Sequence, residues 1–176
     1  MELRILAGLL AYPEEDALER LREWMPALPW LGEAVAELET LPLDRWQGEH
    51  THLFLNGFPK TIAPPFMSYW NEGRMVGNNL GALHRVYRDA GLEPVDGLPG
   101  DYLGTMLEFL ALLLDNPQTP GSPGSMDAQT FYKQFLHPWI QRFVQALREG
   151  SELFLYRKLA ERLELLLTQI GPTEKP

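Results

Sequence analysis

Leucine dominates the aliphatic side chains: the sequence holds 32 Leu against 9 Val plus Ile. Leucine branches beyond Cβ and keeps its rotamers in a helix, whereas Val and Ile stiffen χ1 and suit the pleated surface of a strand. The ratio predicts an all-α protein. Apolar spacing agrees, because Leu3, Leu6, Leu9 and Leu10 recur on one helical face within residues 2–12. Further helices are predicted over 14–24, 30–39, 42–56, 76–91, 101–114, 127–149 and 151–170, with Pro and Gly at most of their ends. Ser151 is placed to cap the last of them. The stretch 101–114 is the most apolar and should be central, with its lone internal acid, Glu108, read as a buried hydrogen-bonding residue.

These make about eight helices in one bundle. A chain of 176 residues is expected to form a single domain over 1–176, burying about 70% of its unfolded surface. Residues 115–126, rich in Pro, Gly and Ser, read as a flexible linker and a hinge before the last two helices. Such a hinge permits a monomer or a domain-swapped dimer. No apolar run reaches the roughly 18 residues of a membrane span, and no signal sequence is expected at the N-terminus.

The absence of cysteine excludes disulfides, thiol nucleophiles and cysteine-based metal sites. A net charge of −9 argues against nucleic-acid binding, which needs clustered Lys and Arg. The acid is concentrated ahead of the linker, and most of it reads as solvated helix faces. Glu49 and His52 have the Glu-x-x-His spacing of helical di-metal carboxylate proteins, but no second copy of the motif exists. The pair therefore reads as a surface or capping histidine late in the fourth helix. No nucleophile elbow and no phosphate-binding loop is present, so no enzyme is expected.

Two loops carry binding character. Residues 57–74 contain Gly57, Pro59, Pro64, Pro65 and Gly73, which exclude regular helix, together with Phe58, Phe66, Tyr69 and Trp70. Residues 92–100 form a second Pro/Gly loop. An apolar groove rimmed by carboxylates suits a peptide that carries arginines, since Arg bonds carboxylates bidentately. The competing reading is that both loops merely close helix corners.

Ala63-Pro64-Pro65-Phe66-Met67-Ser68-Tyr69-Trp70 resembles the Pro-Pro-aromatic-x-Ser-x-Tyr/Trp loop of the TorD/DmsD family of molybdoenzyme chaperones. Pro99-Gly100-Asp101-Tyr102, followed by Leu107-Glu108-Phe109-Leu110, is similar to that family's Glu-Pro-x-Asp-His segment and the helix after it. Leu9-Leu10-Ala11-Tyr12-Pro13 and His137-Pro138-Trp139 also match, so the resemblance spans nearly the whole chain. A second register, Glu93-Pro94-Val95-Asp96, competes for the signature; the first is preferred because Glu108 follows Asp101 at the family's spacing. In either register the histidine is absent, and Tyr102 stands in its place in the preferred one. The run Pro99 to Leu110 is also similar to the NarJ branch, the nitrate reductase chaperones.

The resemblance implies a TorD-like all-helical fold and a cytoplasmic chaperone with no cofactor of its own. Its partners would be the apo catalytic subunit of a molybdopterin-dependent oxidoreductase and that subunit's twin-arginine leader peptide. The chaperone would assist cofactor insertion and delay export. The residues it implies for leader binding are Pro64, Pro65, Phe66, Ser68, Trp70, Pro99 and Tyr102, with Asp101, Glu72 and Asp96 meeting the arginines. Phe66, Tyr69 and Trp70 also suit core positions. The alternatives are a NarJ-like assembly chaperone, a helical adaptor without peptide specificity and a di-metal carboxylate protein.

Overall fold

The computed structural model describes residues 1–74, 80–93, 99–117 and 126–171. Among these residues every regular element is helical, and strand pairing is confined to one isolated antiparallel bridge between Phe66 and Tyr102. The first four helices are α1 (Glu2–Gly8), α2 (Ala17–Trp24), α3 (Leu31–Leu38) and α4 (Leu43–His50). They are followed by α5 (Met67–Glu72), α6 (Leu80–Asp89), α7 (Leu103–Asp115) and α8 (Ala128–Phe131). The chain ends on α9 (His137–Gly150) and α10 (Phe154–Ile170). No helix among the described residues is long and apolar enough to cross a membrane. The hinge expected at 115–126 falls mostly on residues 118–125, outside the described residues.

Helix α7 is the hub. Leu103, Met106, Leu107 and Leu110 have no exposed surface, and α1 and α8 pack against it. Around the hub, α9 runs against α5 and α10, and α3 contacts both α2 and α10. Phe54, Phe143 and Tyr156 join rings in the interior, with Tyr156 edge-on to Phe54 at 5.3 Å. The Tyr156 hydroxyl accepts a hydrogen bond of 2.9 Å from the Trp46 indole, so this buried phenol is satisfied.

Carboxylates from distant helices cap α10. Its first N–H groups have no intrahelical partner, and Leu153 at the N-cap offers no side-chain acceptor. Glu49 Oε1 accepts from the N–H of Glu152 at 2.6 Å and more weakly from Leu153 at 3.4 Å. Glu37 Oε2 accepts from the N–H of Phe154 at 2.7 Å. The helix dipole favours negative charge at this end. The expected cap, Ser151, instead donates its hydroxyl to the Leu147 carbonyl and closes α9. Glu49 is thus a buried structural acid, and its apparent metal spacing to His52 reflects helix geometry.

Three further expectations change. Residues 57–74 hold a six-residue helix, α5, ended by Gly73 in the left-handed region at φ 71°. Residues Thr51–Leu55 and Tyr132–Leu136 widen into π-helical turns that continue α4 and lead into α9. His52, read as a surface or capping histidine, is half-buried, and His50 beside it is buried. The His50 Nε2 lies 3.0 Å from the Leu10 carbonyl, and its ring meets Phe54 edge-on at 4.9 Å.

Burial lowers the His50 pKa below its ordinary 6.5, and the Leu10 carbonyl offsets this in part. Between the lowered value and 6.5 the unfolded chain binds more protons than the folded one, so stability falls as pH drops below about 6.5. Urea unfolding at about pH 8 and about pH 5.5 should show wild type losing more stability on acidification than His50→Gln. Equal losses in the two proteins would remove His50 as the cause.

Candidate functional site

The two motif loops meet at a joint. Pro64 and Pro65 cannot continue a helix and hold the chain extended into Phe66, at φ −131° and ψ 125°. This extended stretch pairs with the start of α7: the Leu103 N–H donates to the Pro65 carbonyl at 2.8 Å, and the Met67 N–H to the Asp101 carbonyl at 3.1 Å. Asp101 Oδ2 then accepts both from the Ser68 N–H at 2.9 Å and from the Ser68 hydroxyl at 2.5 Å. The carboxylate so caps α5 from across 33 residues of sequence. Trp70 closes the loop by donating to the Pro64 carbonyl at 2.7 Å, with the Arg142 guanidinium 5.9 Å above its ring.

The residues singled out from sequence separate into two groups. Asp101 and Ser68 are buried at 0% and 2% exposure, and Pro64 and Pro65 are buried with them. They make the joint and present no surface. Phe66, Trp70 and Tyr102 are half-buried, with the Phe66 and Tyr102 rings 5.7 Å apart. Pro99 is exposed, and Glu72 is half-buried beside Arg74 at 3.1 Å. Asp96 lies outside the described residues, as do Pro94 and Val95 of the competing register. The second Asp101 oxygen, Oδ1, has no hydrogen-bond partner among the described residues.

Beside the joint lies a groove of about 440 Å³ between α1 and α7, walled at one side by Tyr87 and by Leu92 and Glu93 beyond α6. Its existence follows from small side chains. Ala7 and Ala11, in and just after α1, line it with short side chains, while the space at Gly8 is taken by the Trp24 ring, 3.0 Å from where a Cβ would sit. Gly104 admits the Tyr102 ring, for a Cβ there would sit 2.5 Å from the ring's Cε1. The floor is apolar, with Phe109 and Leu112. Four polar groups face it without a hydrogen bond or ion pair among the described residues: the Tyr102 hydroxyl, Thr105, Glu93 and Glu108. The basic residue at the rim, Arg4, is held by Asp115 at 2.6 Å.

Glu108 is exposed, contrary to the buried role its apolar surroundings suggested. Burial, and then the Glu108 carboxylate, push the Tyr102 phenol well above its ordinary range. Burial, and then Asp101, do the same to Tyr87, whose hydroxyl donates to the Gly100 carbonyl at 2.8 Å. Both phenols therefore stay protonated at neutral pH. An apolar trough with few convergent polar groups and unpaired negative charge can take a partly apolar cationic ligand. Sequence reasoning missed the α1 wall, whose signal was the small residues at positions 7 and 11.

Replacing Asp101 by Ala would leave the Ser68 N–H and hydroxyl without an acceptor at a buried site. The expected loss of stability is about 3 kcal/mol, at the upper end for hydrogen bonds to a charged group. Ser68→Ala, which removes only the hydroxyl, should lose less. Chemical denaturation of the two variants measures this, and an Asp101→Ala protein as stable as wild type would refute the joint.

Over residues 9–145 the chain matches the nitrate reductase delta subunit family. Among solved structures it is similar to a crystal structure assigned as a redox enzyme maturation protein from Archaeoglobus fulgidus. The TM-score is 0.70 at 24% identity, covering 95% of this chain and 92% of that one. At that identity the likeness establishes the fold. No curated protein matches the sequence. With the family match spanning most of the helical bundle, including both motif loops and the whole of α7, the chain belongs to the nitrate reductase delta subunit family, the NarJ/TorD-type maturation chaperones.

Proposed function

We propose that this protein is a cytoplasmic chaperone that holds the twin-arginine leader of an apo-molybdoenzyme in the groove between α1 and α7. Holding the leader delays export while the molybdopterin cofactor is inserted into the client. The observation that carries the reading is the groove itself: an apolar trough beside the family's signature residues, lined by carboxylates that have no partner among the described residues.

The leader's apolar side chains would lie on Phe109 and Leu112, and against the half-buried rings of Tyr102 and Phe66. Burying one such side chain contributes roughly 1.5–3 kcal/mol before ordering costs. Pro64, Pro65, Ser68 and Asp101 act indirectly, by holding Tyr102 in place. A wall fixed in advance loses little freedom on binding. Trp70 and Glu72 in α5, and Pro99 ahead of Asp101, would extend the contact.

A NarJ-like reading has its own support in the family matched and in Tyr102, the residue shared with that branch. In that case the groove takes a segment of a nitrate reductase catalytic subunit during its assembly. Titration calorimetry with a twin-arginine leader and with such a segment compares the two readings. Saturable binding of the leader is expected, lost in Ala11→Trp, which fills the groove from its exposed edge and leaves the circular dichroism spectrum unchanged. Preference for the segment would favour the NarJ-like reading. Binding of neither peptide to folded protein would contradict both.

A further inference from the structure

Glu108 has no obvious reason to be where it is. It is an exposed acid on a helix whose other faces are mostly buried, and no base among the described residues pairs with it. It does not cap a helix, as Glu49 and Glu37 do, and the base lining the same groove, Arg4, is already bound to Asp115. A carboxylate in such a place disfavours a neutral apolar ligand, which would strip it of water without compensation, and attracts a cationic one. Glu93 faces the same groove and is equally unpaired. Behind Tyr87 lies Asp101, a buried carboxylate with one oxygen lacking a hydrogen bond.

The choice of cation follows from the walls. A guanidinium is planar, weakly hydrated and stacks on aromatic faces, and its fork of donors matches a carboxylate bidentately. An ammonium is strongly hydrated and loses more on entering an apolar trough. The groove offers two tyrosine rings, the Tyr102 hydroxyl as a further acceptor and two carboxylates. We infer that Glu108, with Glu93, is the specificity-determining element of the groove: it holds an arginine of the client segment and discriminates against lysine at that position. This inference rests on the groove being the client site.

The test compares wild type with Glu108→Gln, Glu93→Gln and Glu108→Arg, using a twin-arginine leader peptide, its Lys-Lys variant and a variant with Glu in place of Arg. Glu23→Gln, an exposed acid remote from the groove lining, controls for the change in net charge. Wild type and the Glu23 control should bind the arginine peptide about tenfold or more tightly than the lysine peptide. In Glu108→Gln, affinity for the arginine peptide should fall about tenfold and the preference over lysine should shrink. Glu93→Gln should move both in the same direction by less. Glu108→Arg should lose the arginine peptide and gain the Glu-containing one.

Unchanged arginine affinity in Glu108→Gln would overturn the inference while leaving the groove as client site. So would an equal loss for the arginine and lysine peptides. If wild type binds none of the peptides, the proposed function falls and the inference with it. Thermal melting of each variant separates lost binding from lost folding, and Glu108, being exposed, should tolerate both replacements.

Discussion

Burying an ionised carboxylate is unfavourable unless donors surround it, and Asp101 sits at zero exposure with the Ser68 N–H and hydroxyl as its donors. The arrangement around the groove depends on this tie. Asp101 precedes Tyr102 and the first turn of α7, while Ser68 opens α5, so one carboxylate sets two loops against each other. The Phe66–Tyr102 bridge adds backbone bonds on the same line. The proline pair removes the alternative conformations that would let this joint loosen. Tyr102 is thereby presented to the groove by a rigid support rather than by a free loop.

The same chemistry recurs at the start of α10. Glu49 and Glu37 reach from α4 and α3 to the unsatisfied N–H groups of α10, and Glu2 pairs with Arg162 through two bonds of 2.7 and 2.9 Å. Part of the acid surplus ahead of the linker therefore ties α1, α3 and α4 to the slightly basic last helix. Another part, Glu93 and Glu108, is left unpaired at the groove. A molybdoenzyme maturation chaperone must hold a client segment and release it. A preformed trough with unpaired charge suits reversible binding better than an interface that demands refolding.

Long elements were legible in the sequence because leucine periodicity marks them: α7, α9 and α10 lie where the spacing places them. The short and irregular ones were not. Helix α5 sits between prolines and glycine, and its N-terminus is satisfied by Asp101, far away in sequence. The π-helical turns, which carry the buried Phe54 and Phe135, leave no periodic trace. Ser151 had the right chemistry for a cap, yet acids from α3 and α4 occupy that role. The motif loops were recognisable, and the structure divides their residues into a buried joint and a half-exposed wall. The groove itself was hidden because its shape is set by residues that are small. Ala7 and Ala11 line the groove beside Glu108 with short side chains, and an acid that sequence places on an apolar helix is in fact exposed.

The central claim is the location of the client site between α1 and α7. It is tested most directly by photo-crosslinking the folded protein with a twin-arginine leader peptide that carries a benzophenone in its apolar run, followed by mass-spectrometric mapping. Crosslinks should fall on Ala7–Ala11 and on Tyr102–Leu112, and an excess of unlabelled leader should abolish them. Crosslinks confined to α9 and α10, equally competed by unlabelled leader, would contradict the account.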